Sequence, residues 1–94
     1  MAQVAVFFSE VAANIKVKKD TTRMFDLLTI HKVEFTKTDV SIDEEAKAYM
    51  KEHSQAKPGV LPLLFVRGSY KGTLVEMEEA NEDGALLQWL GLDN

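Results

Sequence analysis

The sequence predicts an α/β domain in which one four-stranded mixed sheet carries helices on both faces. Three observations lead there. The first half alternates strand-like runs with amphipathic stretches, the centre holds a very apolar run followed at once by a turn and a short strand, and the chain closes on helical segments split by Gly84. A strand, helix, strand start implies a parallel first pair joined by a crossover helix, and the later hairpin adds two antiparallel strands to the same sheet. With 94 residues, 46% of them hydrophobic and 28% charged, the chain is ordinary globular material for one core, so residues 1–94 are read as a single domain.

The first element is Gln3 to Phe8, an apolar run without helical spacing that is read as a central strand. Ser9 to Lys19 is small, polar and then basic, and is read as a loop. From Val17 onward Thr21, Met24, Phe25 and Leu28 fall on one face of an amphipathic helix that ends near His31. Val33 to Val40 alternates in its first half, as a strand with one face on the core does. Ser41-Ile42-Asp43-Glu44 fits a capping box, with the Ser41 hydroxyl accepting from the Glu44 amide, and Ala46, Tyr49, Met50 and His53 mark the inner face of the helix it opens.

Pro58 and Gly59 break the chain before Val60 to Val66, the most apolar segment. Pro62 restricts where that strand begins, because proline forfeits a ladder hydrogen bond inside a sheet. Arg67-Gly68-Ser69-Tyr70 reads as a tight turn into a short strand. Thr73-Leu74-Val75-Glu76 reads as a second capping box opening an acidic helix with Leu74 and Met77 inward. Ala85 to Leu90 forms a last apolar helix with Trp89 in the core and Gly91 as its C-terminal cap.

Composition narrows the chemistry. The chain has no cysteine, so its own residues offer no disulfide, thiolate metal site or thiol nucleophile. Its two histidines are isolated, Ser9 has no nucleophile-elbow glycines, and Glu78, Glu79, Glu82 and Asp83 read as a solvated helix face. No catalytic residue, no metal and no cofactor is expected. A net charge of -4 opposes broad nucleic-acid binding, although residues 1–38 carry six basic and four acidic side chains while residues 39–94 carry five and eleven. No apolar run reaches the ~20 residues of a membrane span, and the expected location is cytoplasmic.

The stretch Leu61-Pro62-Leu63-Leu64-Phe65-Val66-Arg67-Gly68-Ser69-Tyr70-Lys71-Gly72 and the ending Leu90-Gly91-Leu92 resemble a glutaredoxin-type thioredoxin fold, and most of all the SH3-domain-binding glutamic-acid-rich-like proteins. The resemblance implies a cis peptide bond before Pro62, and places the loop from Ser9 to Ile15 where redox relatives keep a nucleophilic cysteine. It also places Thr73, Leu74, Val75 and Glu76 where glutaredoxins hold the charged end of glutathione with a glycine and an acidic pair. Pro58 and Pro62 do not form a PxxP ligand for an SH3 domain.

The resemblance therefore implies a degenerate cleft made of Ser9, Asn14, Lys16, Lys18, Val60, Leu61, Pro62, Thr73 and Leu74. With a cis bond at Pro62, the Leu61 backbone would stand unpaired at its rim, and Lys16, Lys18 and Lys19 would supply an anion-attracting edge. The expected function is a non-catalytic interaction module, an adaptor or assembly component that recognises a protein partner. The alternative is a glutathione- or anion-binding protein without redox turnover.

Overall fold

The computed structural model describes residues 3–11, 14–54 and 60–92. Its elements run β1 (Val4–Phe8), α1 (Ile15–Ile30), β2 (Phe35–Asp39), α2 (Glu44–His53), β3 (Leu63–Val66), β4 (Ser69–Gly72), α3 (Leu74–Glu82) and α4 (Leu86–Leu90). The four strands form one sheet in the order β2-β1-β3-β4. β1 runs parallel to β2, with Val4 opposite Phe35, and antiparallel to β3, with Phe7 opposite Leu63. β3 and β4 form the antiparallel hairpin, with a register shift between Leu64 and Phe65. The expected mixed sheet is present, and β1 is central.

Alternation along β1 and β3 sends side chains to both faces, because successive residues of a strand point in opposite directions. Val4, Val6, Leu64 and Val66 pack with Met24, Leu27 and Leu28 of α1, Met77 and Ala80 of α3, and Leu86 and Leu90 of α4. Phe7, Leu63 and Phe65 meet Val40 on the other face, with Ala46 and Met50 of α2 packed against them. Trp89 is half-buried against the first cluster, and its ring lies 5.3 Å from the Lys71 ammonium.

Several boundaries differ from the sequence reading. α1 begins at Ile15, two residues before the apolar stripe, because Asn14 caps it by accepting from the Lys16 amide at 2.8 Å. The cap of α2 is Asp43, whose carboxylate accepts from the Ala46 amide at 2.9 Å, so the Ser41 capping box does not form. The Ser41 hydroxyl instead donates to Asp39 at 2.6 Å. Thr73 does cap α3 by position, but its side chain makes no bond to the helix backbone and donates to the Glu76 carboxylate at 2.5 Å. His53 ends α2 as an exposed residue stacked on Tyr49. β3 starts only after Pro62, which follows a cis bond from Leu61. The expected Pro58–Gly59 break lies outside the described residues.

The hairpin turn has Arg67 at φ 51° and Gly68 at φ 82°, the pair of left-handed residues that a two-residue turn needs to match strand twist. Gly91, at φ 75°, closes α4 as expected.

Candidate functional site

Topology gathers one end of the sheet. The parallel strands β1 and β2 both finish there, at Phe8 and Asp39, β3 begins there at Leu63, and β4 ends there opposite Leu64 at Gly72. The segments that follow β1, β2 and β4 and the one that precedes β3 therefore meet at a common edge. Ser9, Asn14, Lys16, Val60, Leu61, Pro62, Thr73 and Leu74 all belong to those segments or to the helix starts beside them, and Lys18 stands in the first turn of α1.

Asp39 holds two of these segments together. Its Oδ1 accepts from the Glu10 amide at 3.3 Å, the Ser41 amide at 2.9 Å and the Ser41 hydroxyl at 2.6 Å. The Ser41 hydroxyl bond, followed by the backbone bonds from Ser41 and Glu10, holds the Asp39 carboxyl below its ordinary range against the opposing effect of partial burial. The Val40 amide continues the ladder by donating to the Phe8 carbonyl at 2.8 Å.

The individual side chains have distinct tasks. Asn14 is occupied as the cap of α1, and Lys16 pairs with Asp20 at 2.7 Å. Ser9 and Lys18 line a hollow of about 220 Å³ together with Phe8, Glu10, Thr21, Thr22 and Phe25. Lys16 and Leu74 line a different hollow of about 380 Å³, on the α3 flank of α1, with Asp20, Val75, Glu78, Glu79 and Glu82. Pro62 is fully buried, whereas Leu61 is half-buried against the second core cluster. Among the described residues neither the N–H nor the C=O of Leu61 pairs with another backbone group. Thr73 engages Glu76, and that bond is the chief reason the Glu76 carboxyl sits below its ordinary range.

Val60, a predicted cleft residue, is 38% exposed, and sequence reasoning missed four further apolar residues at this end: Val11, Ile15, Ile42 and Val75 are between 64% and 81% exposed. Each sits outside a core-facing stripe, which is the sequence signal that could have found them: a large aliphatic residue at a helix start or turn with no periodic partner. Among the described residues no group of three or more histidines and carboxylates is placed to hold a metal ion, and no helix is long and apolar enough to cross a membrane.

The chain is similar to solved structures of two kinds. The actin interacting protein Aip5 of C. albicans is 31% identical with a TM-score of 0.77, over 93% of this chain and 86% of that one. A monomeric truncated mutant of Trypanosoma brucei 1-C-Grx1 is 26% identical with a TM-score of 0.73, over 95% and 78%. Buckwheat glutaredoxin in complex with glutathione has a TM-score of 0.67 at 16% identity, over 95% and 76%, a likeness of fold alone. The architecture is thus the glutaredoxin-type thioredoxin fold, here without any cysteine. The model of the family described as SH3-binding, glutamic acid-rich protein matches residues 2–93, and the chain belongs to that family.

Proposed function

We propose that this protein is a non-catalytic interaction module, an adaptor or assembly component that receives a segment of a protein partner at the sheet end. The observation that carries this reading is that Val11, Ile15, Ile42, Val60 and Val75, all exposed, stand on the segments and helix starts at that sheet end, beside Leu61, whose backbone pairs with no other backbone group among the described residues. Exposed aliphatic groups grouped at one place favour a partner over solvent, and an unpaired backbone can hydrogen-bond an extended segment as a neighbouring strand would. A chain without cysteine has no residue that could form a mixed disulfide, which supports binding over thiol exchange at this end of the fold. Aip5 is described as an actin interacting protein, which supports a protein partner and makes actin the first candidate.

Site-specific photo-cross-linking tests the proposal. A benzophenone side chain at Val11, Ile15 or Val60, introduced in cells that express the protein natively, is expected to give a discrete protein adduct. The same group at Ile30, equally apolar and exposed but on the last residue of α1, is expected to give none. Identical adducts from both places, or none from the sheet end, would overturn it.

The second reading is a ligand cleft for glutathione or another small anion, favoured by Lys16 and Lys18 at the start of α1. An amide NMR titration with reduced glutathione separates the two. Shifts confined to Ser9, Asn14, Lys16, Lys18, Leu61, Thr73 and Leu74 favour the ligand cleft, and an unchanged spectrum leaves the cleft to a protein partner.

A further inference from the structure

A second surface, on the other flank of α1, has the makings of a peptide site. Phe8 meets Phe25 edge-on with ring centroids 5.5 Å apart, and Phe25 stacks on Phe35 at the same 5.5 Å spacing. All three rings are only half-buried, and with Phe25 and Phe35 packed against the first core cluster they form a shelf at its margin. The hollow of about 220 Å³ opens against Phe8 and Phe25, with Ser9, Thr21 and Thr22 as its polar lining and Glu10 and Lys18 as its charged groups. Thr21 spends its hydroxyl proton on the Val17 carbonyl at 2.8 Å, leaving Ser9 and Thr22 as the hydroxyls facing outward needs.

A second hollow, of about 350 Å³, shares Lys18 and Thr22 with the first and continues past Lys19, Arg23 and Asp26. The two make one groove that is aromatic at one end and cationic at the other. Arg23 is committed to Glu78 through two bonds of 3.0 and 3.1 Å. Among the described residues Lys18 and Lys19 enter no ion pair, and Lys37 places its ammonium 4.6 Å from the centre of the Phe25 ring. Glu10 keeps the aromatic end from favouring anions, so negative charge is welcome only beyond it.

We propose that this groove binds an extended, acidic peptide segment of a partner protein, an aromatic side chain seated on Phe8 and Phe25 and the adjoining carboxylates over Lys18 and Lys19. Aromatic rings stack best at offset or edge-on geometries of the kind Phe8 and Phe25 offer, and the carboxylates set the register along α1. The groove shares Ser9 and Lys18 with the sheet-end set, but the exposed aliphatic residues that carry the sheet-end reading, Val11, Ile15, Ile42, Val60 and Val75, line neither hollow.

The test is an amide NMR titration at low salt with two capped synthetic peptides, Gly-Phe-Glu-Glu-Gly and Gly-Phe-Lys-Lys-Gly. The acidic peptide is expected to shift Ser9, Glu10, Lys18, Thr22 and Phe25 and to leave Leu61, Thr73 and Leu74 in place, while the basic peptide shifts none of them. Lys18→Glu, on an exposed side chain, is expected to weaken binding about tenfold, with Lys19→Glu giving a smaller loss as a second, independent variant. The proposal fails if the two peptides bind alike, if neither shifts the groove, if the shifts fall on Leu61 and Leu74 instead, or if both charge reversals bind as the natural protein does.

Discussion

At the scale of single residues, Asp39 is where local chemistry fixes the geometry of the sheet end. Its carboxylate gathers the Glu10 amide and both donors of Ser41, and those bonds hold its pKa below the ordinary value. A carboxyl with a lowered folded pKa stabilises the native state fully above its unfolded pKa of about 3.9, and the contribution is lost as pH falls through the lower folded value. Glu76, held down chiefly by the Thr73 hydroxyl, acts in the same direction. The natural protein should therefore lose urea resistance between neutral pH and pH values near about 3. Asp39→Asn, which keeps an acceptor but cannot titrate, should show a smaller difference between the two. Equal differences in urea midpoint would show that Asp39 does not contribute to the acid sensitivity. Gly68 is a second such residue. At φ 82°, with a Cβ that would meet the Tyr49 hydroxyl at 3.1 Å, Gly68→Ala suffers both backbone and packing penalties. It should cost more than about 1 kcal/mol, read as a lowered denaturation midpoint.

At the scale of elements, α2 is the least anchored. None of its residues is fully buried, and it rests on the sheet through Ala46, Met50 and the Tyr49 ring, 5.8 Å from that of Phe65, with the Tyr49 hydroxyl donating to the Gly68 carbonyl, while Asp43 caps its own first turn. Tyr49→Phe should cost about 1 kcal/mol, the usual net worth of one hydrogen bond, and should raise amide exchange first in α2. Asp43→Ala should cost a similar amount, about 1 kcal/mol, as a lost N-cap does. Slow exchange in α2 matching that of β1 would contradict this ranking. The same helix shows where sequence reasoning stops. β1 and β3 were legible because their apolar runs are buried on both faces, and Gly91 was legible because only a left-handed residue closes α4 in that way. The α2 start was not, since Ser41 and Asp43 are both good caps two residues apart. The choice was made by Asp39, whose carboxylate claims Ser41 through a turn that periodicity does not register. The candidate site was legible as a set of segments that the fold brings to one end. The tasks of Asn14 and Lys16 were not, because each depends on a partner, the Lys16 amide and Asp20, that only the folded helix terminus brings into reach, whereas the spacing did pair Thr73 with Glu76 but not through the carboxylate bond they form.

At the scale of the whole molecule, the two core clusters share their strands. β1 supplies Val4 and Val6 to one side and Phe7 to the other, while β3 supplies Leu64 and Val66 to one and Leu63 and Phe65 to the other. Neither side can lose its packing without disturbing the strands that support the opposite one, so α2, for all its slight anchoring, should melt with the rest when the core melts. The single tryptophan makes this testable. Trp89 packs against the α1, α3 and α4 side, whereas far-ultraviolet circular dichroism reads all the helices including α2. Leu28→Ala, at a side chain with no solvent exposure in the first cluster, should cost about 2–5 kcal/mol. Met50→Ala, at a half-buried side chain on the far face, should cost less. In both variants the fluorescence and dichroism transitions in urea should move together and remain superimposable. A Met50→Ala protein whose dichroism fell before its Trp89 signal would mean that the two faces unfold separately, and that the shared strands do not couple them.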